Sequence, residues 1–472
     1  MKTRILIVLL AVLLLSMLAV SCAQEPNNPE TTDEVTAAPV ESDTEAPAET
    51  PTEEVTTEEV TTEEATTEEE TTLSVKDQLG LNVKDEDLKD IMQSVFTGTQ
   101  SKNETVMFLD KGDVKSLLFP IDTIVSVTSY DGSRVYEEGK DYVIEDGKLK
   151  VTADSAIPCI TAAKYYDVPP ISGISIMTKN PATGQMSSTF WGESQMKQWQ
   201  VSVTYTHTAA WEGFAQESYL EIYQNLVKKL VAGEDVTVFF YGDSITWGAC
   251  SSFLENAAPK QGSYAMLFTE ALADLFGYKV KYINTGLSAA MTVAPVPSED
   301  YVAGERGTIT YVNTAIGGWT SQDGVNNFDT FIKAQVEKYG CDLFVLAYGM
   351  NDGGFSAGTT KANTKKMADA MLDIKPEVSI MFVATMTPHM GSNWDHASIG
   401  QQEKQLESLA KVYRKDGVAC AVACVNSVSK AIQEHKTFND YSGNNINHPN
   451  DWFYRIYAQT LLQTLIGYEN MD

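Results

Sequence analysis

The residues able to do chemistry lie in the second half of this 472-residue chain. The segment Gly242-Asp243-Ser244-Ile245-Thr246 follows directly on the apolar run Val236-Thr237-Val238-Phe239-Phe240-Tyr241. A serine at the end of a buried strand is held in a sharp turn and aimed into a cleft, as a nucleophile must be. Three segments follow in order: Asn313 to Trp319, which contains Gly317-Gly318; Gly349-Met350-Asn351-Asp352, after the apolar run Leu343 to Tyr348; and Asn447-His448-Pro449-Asn450-Asp451. Singly, each is ordinary cap or turn chemistry. Together they offer a nucleophile, Ser244, and a base, His448, whose imidazole changes protonation near neutral pH. That is the equipment for attack on an ester carbonyl.

In the order Ser, Gly, Asn, His, these motifs resemble the SGNH (GDSL-type) hydrolases over about the last half of the chain. The resemblance implies oxyanion donors as well: the backbone N–H groups of Ser244 and Gly318 and the side-chain amide of Asn351. Gly318 is preferred over Gly317 because the family's glycine sits five residues after an asparagine, here Asn313. One position departs from the pattern. The family's aspartate three residues before the histidine, which orients the imidazole, is Asn445 here. Three repairs are open: a backbone carbonyl near Asn444 or Asn445 giving a Ser-His dyad, Asp440, or Asp451, which reads more readily as a helix-start charge. The dyad is the favoured reading. Trp319 and Trp394 are candidate substrate contacts. His389 and His396 flank the Trp394 loop without a third metal ligand, so no metal is expected. No Gly-rich phosphate loop or dinucleotide fingerprint occurs, and no cofactor is implied.

Near-continuous apolar runs must position these residues: Val236 to Tyr241, Val280 to Ile283, Ile309 to Val312, Leu343 to Tyr348, Ile380 to Ala384 and Val418 to Val425. Between most of them lie helical segments at Tyr264 to Phe276, Phe328 to Tyr339, Lys361 to Ile374 and Gln401 to Tyr413, with Trp452 to Leu465 last. This alternation predicts an α/β fold, a three-layer parallel sheet with the site at the carboxyl ends of its strands. A helix over Phe214 to Val231 is expected to precede it. From about 80 to 210, short alternating runs split by turn residues predict an all-β sandwich, with strands at Ile124 to Thr128, Asp141 to Ile144, Lys148 to Thr152, Gly173 to Thr178 and Gln200 to Tyr205, preceded by a helix over Asp85 to Phe96.

Lys2 and Arg4, the apolar run Ile5 to Leu15, and small residues before Cys22 read as an export signal resembling that of a bacterial lipoprotein, with Cys22 lipidated. The organisation is then a signal over 1–22, an acidic Thr/Glu-rich tether over 23–78, a β-sandwich over 79–210 and a catalytic domain over 211–472. Residues 25–72 hold 17 acids and no Lys or Arg, about half of the net charge of −30. Their composition predicts a disordered tether. The acidic balance without a Lys/Arg cluster disfavours a nucleic-acid partner, so none is expected, and the membrane is expected to be met only through the lipid anchor. Cys420 and Cys424 read as small buried hydrophobes.

The expected function is a secreted serine esterase removing acetyl groups from polysaccharide. A peptidoglycan O-acetylesterase or general short-chain esterase is the alternative within enzymes. Asn445 favours a different class, an inactive surface glycan-binding protein. The aromatics Tyr165, Tyr166, Trp191 and Trp199 of the sandwich are candidates to stack on sugar rings.

Overall fold

A computed structural model describes residues 94–166, 177–179, 186–188, 196–284, 301–302 and 304–468. The signal with Cys22, the tether, all but the last three residues of the Asp85 to Phe96 segment, most of Gly173 to Thr178, and Trp191 lie outside the described residues.

The N-terminal part contributes β1 (Gln100–Met107), β2 (Val114–Lys115), β3 (Thr123–Ser129), β4 (Tyr142–Glu145), β5 (Lys148–Val151), β6 (Met177–Lys179), β7 (Met186–Ser188) and β8 (Gln200–Thr206). They form two sandwich-like antiparallel sheets, β1-β8-β3 and β2-β5-β4, and the pair β6-β7. Strand β1 was not legible in the sequence. Its polar start lacks alternation, and a register shift between Ser101 and Glu104 breaks the period of two.

The second part is a seven-stranded sheet built from β9 (Val236–Gly242), β10 (Lys279–Asn284), β11 (Tyr301–Val302), β12 (Thr308–Asn313), β13 (Leu343–Ala347), β14 (Ser379–Val383) and β15 (Cys420–Ala423). Its order is β11-β10-β12-β9-β13-β14-β15, parallel throughout except for the two-residue edge strand β11. Every residue of β9 is buried, because helices cover both faces. Val236, Val238 and Phe240 join the core shared with the helices Tyr264–Phe276 and Asp451–Leu465. Phe239 and Tyr241 join the opposite core, against Ala357–Ile374 and Ile399–Lys415. The first core continues into the N-terminal sheets through Val106, Phe108, Val201 and Val203.

Two helical expectations change. The segment Phe214 to Val231 is helical only over Gln224–Ala232. Ahead of it Gln216 lies along the open edge of β15, accepting from the Cys424 N–H at 2.8 Å and donating to the Val422 carbonyl at 3.2 Å. That edge pairing outweighs the helical spacing of the apolar residues. The Phe328 to Tyr339 segment is a π-turn, Asp329–Lys333, followed by an α-helix, Ala334–Tyr339. Cys420 and Cys424 are free and buried in the second core.

Candidate active site

Strand order brings the motif residues together. Ser244 follows β9 at the centre of the sheet, Gly318 follows its neighbour β12, and Asn351 follows its other neighbour β13. Cross-links tie the three loops. The Ile316 N–H donates to the Gly242 carbonyl at 3.1 Å, the Asn313 amide to the Thr246 carbonyl at 3.0 Å, and the Asn351 amide to the Trp319 carbonyl at 3.0 Å. Asp352 accepts from the Ser321 N–H at 2.8 Å and from the Thr360 hydroxyl at 2.6 Å.

Ser244 opens a short helix, Ser244–Trp247, whose N-cap is Asp243; the Asp243 Oδ1 accepts from the Ile245 N–H at 3.0 Å. The Ser244 N–H is therefore one of the first-turn donors that a helix cannot satisfy internally. Gly318 sits at φ +80°, a conformation that only glycine adopts without strain, which turns the backbone between β12 and Trp319. Burial pushes the Asp243 carboxyl up to about 7, and the charge of Asp352 adds to this; the Ile245 N–H and the positive form of His448 oppose it.

The Ser244 hydroxyl oxygen lies 2.8 Å from the His448 Nε2, across a sequence separation of 204 residues. His448 is carried on a loop in which every residue from Tyr441 to Asn450 is buried. The loop closes on itself through the Ser442–Pro449 bridge, a Gly443 N–H to His448 carbonyl bond of 3.0 Å and a Ser442 hydroxyl to His448 carbonyl bond of 2.9 Å.

The groups considered for orienting His448 are engaged elsewhere. Asn445 donates to the Tyr165 hydroxyl at 2.7 Å. Asp440 accepts from the Met107 N–H at 2.9 Å and from the Thr437 hydroxyl at 2.7 Å, and pairs with Lys115 at 3.4 Å. Asp451 accepts from the Ser252 N–H at 2.8 Å. Beside the ring stands the Asn444 side chain, its Nδ2 3.1 Å from the His448 Nδ1. The direction of that amide is fixed, because its oxygen accepts from the N–H groups of Ile446, Asn447 and His448 at 2.9, 3.1 and 3.1 Å. An N–H of Asn444 thus faces Nδ1, a contact that suits a ring whose Nδ1 is unprotonated. To act as a base the ring must carry the proton on Nδ1 instead, where the Cys250 sulfur, 3.8 Å away, is a weak acceptor. A side chain on Gly443 would collide with Cys250, its Cβ falling 2.3 Å from that of Cys250, so glycine there is what admits the thiol beside the ring.

Trp394 was expected on substrate. Its indole N–H donates to the Asn351 Oδ1 at 3.2 Å, which directs the Asn351 amide nitrogen the other way. Trp319 is half-buried and meets Phe331 edge-on at 5.1 Å. The His389 N–H donates to the Ile446 carbonyl at 2.7 Å, tying the Trp394 loop to the histidine loop.

Sequence reasoning missed the side chains of Asn444 and Cys250. A signal for the first was present: Asn439, Ser442, Asn444, Asn445, Asn447 and Asn450 crowd one short segment, more hydrogen-bonding capacity than a solvated turn needs.

The parallel sheet with helices on both faces fits an SGNH-type α/β domain. Residues 240–456 match the model of the GDSL-like Lipase/Acylhydrolase family. No curated protein sequence matches the chain. Among solved structures it is similar to a two-domain esterase active on acetylated mannans, at 17% identity and a TM-score of 0.37, covering 53% of this chain and 54% of that one. It is also similar to an acetyl xylan esterase (17% identity, TM-score 0.32, 48% and 98% covered). A third is the lipase/acylhydrolase from Enterococcus faecalis (17%, 0.31, 48% and 94%). The chain thus spans about half the length of the two-domain esterase.

Proposed function

We propose that this protein is an exported serine ester hydrolase that removes acetyl groups from polysaccharide. The observation that carries the reading is the 2.8 Å approach of the Ser244 hydroxyl to the His448 imidazole beside two loops bearing amide donors. In this mechanism the Ser244 oxygen attacks the ester carbonyl while its proton passes to Nε2. The N–H groups of Ser244 and Gly318 and the Asn351 amide receive the oxyanion. Collapse breaks the bond to the sugar oxygen, which takes the proton from His448 and leaves as a hydroxyl, and water repeats the sequence on the acyl-enzyme to release acetate. Export and anchoring through Cys22 place the enzyme where polymeric substrate is found, and Trp319 and Trp394 stand beside the Asn351 loop.

One observation favours a second reading, an inactive glycan binder: the Asn444 N–H directed at Nδ1 disfavours the base form of the ring. Acetate release from acetylated xylan, acetylated mannan and wall glycan, with p-nitrophenyl acetate alongside and Ser244→Ala as control, decides between them. Release from an acetylated polysaccharide, lost in Ser244→Ala, is expected. Turnover of p-nitrophenyl acetate alone would reduce the reading to a general short-chain esterase, and no turnover of any ester would leave the binder.

A further inference from the structure

We infer that the N-terminal β-region is a positioning part of the catalytic apparatus, with Gln200 as the clamp that holds the loop carrying His448. The inference rests on the ester-hydrolase reading above. Gln200, the first residue of β8, is 1% exposed. Its Nε2 donates to the carbonyls of Asn439 and Ser442, both at 2.8 Å, and its Oε1 accepts from the Asn450 amide at 3.1 Å. One amide from the β-region therefore grips both arms of the loop whose far end presents His448.

The neighbouring strands complete the grip. The Asn450 amide also donates to the Thr105 hydroxyl of β1 at 2.9 Å, while its oxygen caps the last helix at the Phe453 N–H, 3.2 Å away. The Asp451 N–H donates to the Tyr130 hydroxyl at 2.9 Å. Lys436, just before the loop, pairs with Glu104 of β1 at 2.6 Å, both side chains wholly buried. Such polar contacts are strongly directional and, out of water, costly to break, so they fix where the loop stands rather than merely filling space. Three of the aromatic candidates for sugar stacking, Tyr165, Tyr166 and Trp199, gather beside this loop. Tyr165 is buried with its hydroxyl on Asn445, Tyr166 meets it edge-on at 4.9 Å, and Trp199 packs in the same small cluster.

The test uses full-length protein and p-nitrophenyl acetate, with the labelling rate of Ser244 by diethyl p-nitrophenyl phosphate as a second readout that needs no substrate binding. Gln200→Glu keeps the size and the acceptor for Asn450 but removes both donors to the loop carbonyls. In protein with wild-type near-ultraviolet circular dichroism, kcat is expected to fall about tenfold or more, with KM within about twofold and labelling slowed by the same factor as kcat. Lys150→Gln, on the exposed side of β5, is expected to change neither. If Gln200→Glu does not fold, Tyr165→Phe carries the test: a loss in kcat at constant KM supports the clamp, and unchanged kcat overturns it. Wild-type kcat and labelling in folded Gln200→Glu overturn the clamp while leaving the hydrolase reading intact, provided Ser244→Ala is inactive. Full turnover in Ser244→Ala overturns the hydrolase reading itself.

Discussion

Replacing Asn444 by aspartate exchanges the N–H that faces the His448 Nδ1 for an acceptor. The amide nitrogen stands 3.1 Å from the ring nitrogen, so a carboxylate oxygen there would hold a proton on Nδ1 and free Nε2 to act as base. A carboxylate and an imidazolium about 4 Å apart attract by about 4 kcal/mol at an effective dielectric constant of about 20. Two costs oppose this. Asn444 is 2% exposed, so the new charge is desolvated, and the Asn447 Oδ1, which now accepts from Asn444 at 3.1 Å, would face it. The three backbone N–H groups on the other oxygen offset part of the desolvation. A net gain of about 1.4–2.7 kcal/mol in the transition state corresponds to roughly tenfold to a hundredfold in kcat. Because the imidazolium is stabilised, the acid limb of the kcat/KM profile should also move to higher pH, by about one unit or more. Steady-state kinetics with p-nitrophenyl acetate over a pH series measures both. Folded Asn444→Asp protein with wild-type kcat and an unmoved acid limb would refute the reasoning that the Nδ1 partner limits this site.

Two further outcomes follow from the geometry. Trp394→Phe removes the indole N–H that directs the Asn351 amide; kcat should fall about fivefold, the worth of about one neutral hydrogen bond, with KM unchanged. A rise in KM alone would instead mark Trp394 as a substrate contact. Asp243 takes up its proton at about 7 in the native protein, whereas its ordinary value is 3.8, so between these values the native state binds more protons than the unfolded chain and stability falls as pH rises. Thermal melting at pH 5 and pH 8.5 should therefore show Asp243→Asn, which keeps the N-cap, gaining on wild type at the higher pH. Parallel pH dependence of the two proteins would contradict this.

The parallel sheet was legible because its strands are buried on both faces and read as unbroken apolar runs. Val236 to Tyr241 and Tyr264 to Phe276 were recognisable from local pattern alone. Ser244, Gly318 and Asn351 each follow such a run, but their choice as a set rests on the motif order of the resemblance, and that of Gly318 on its distance from Asn313. What failed to show in the sequence depends on long-range pairing. Gln216 trades helix for the edge of β15 some two hundred residues away, and β1 hides its period behind a bulge. The environment of His448 was hidden as well. The amide of Asn444 stands beside Nδ1 through the folding of its own loop, and no local pattern marks which side chain faces the ring. The clamp through Gln200 joins residues about 240 apart, and no local pattern could announce it.

On the proposed reading, a serine hydroxyl and an imidazole 204 residues apart act as one unit on an ester. Treatment with diethyl p-nitrophenyl phosphate followed by peptide mass spectrometry tests it most directly. A single diethylphosphoryl group on Ser244, appearing in step with loss of ester turnover and not forming in His448→Ala, is the expected result. Inactivation with the label on another residue, or esterase activity that survives full labelling of Ser244, would contradict it.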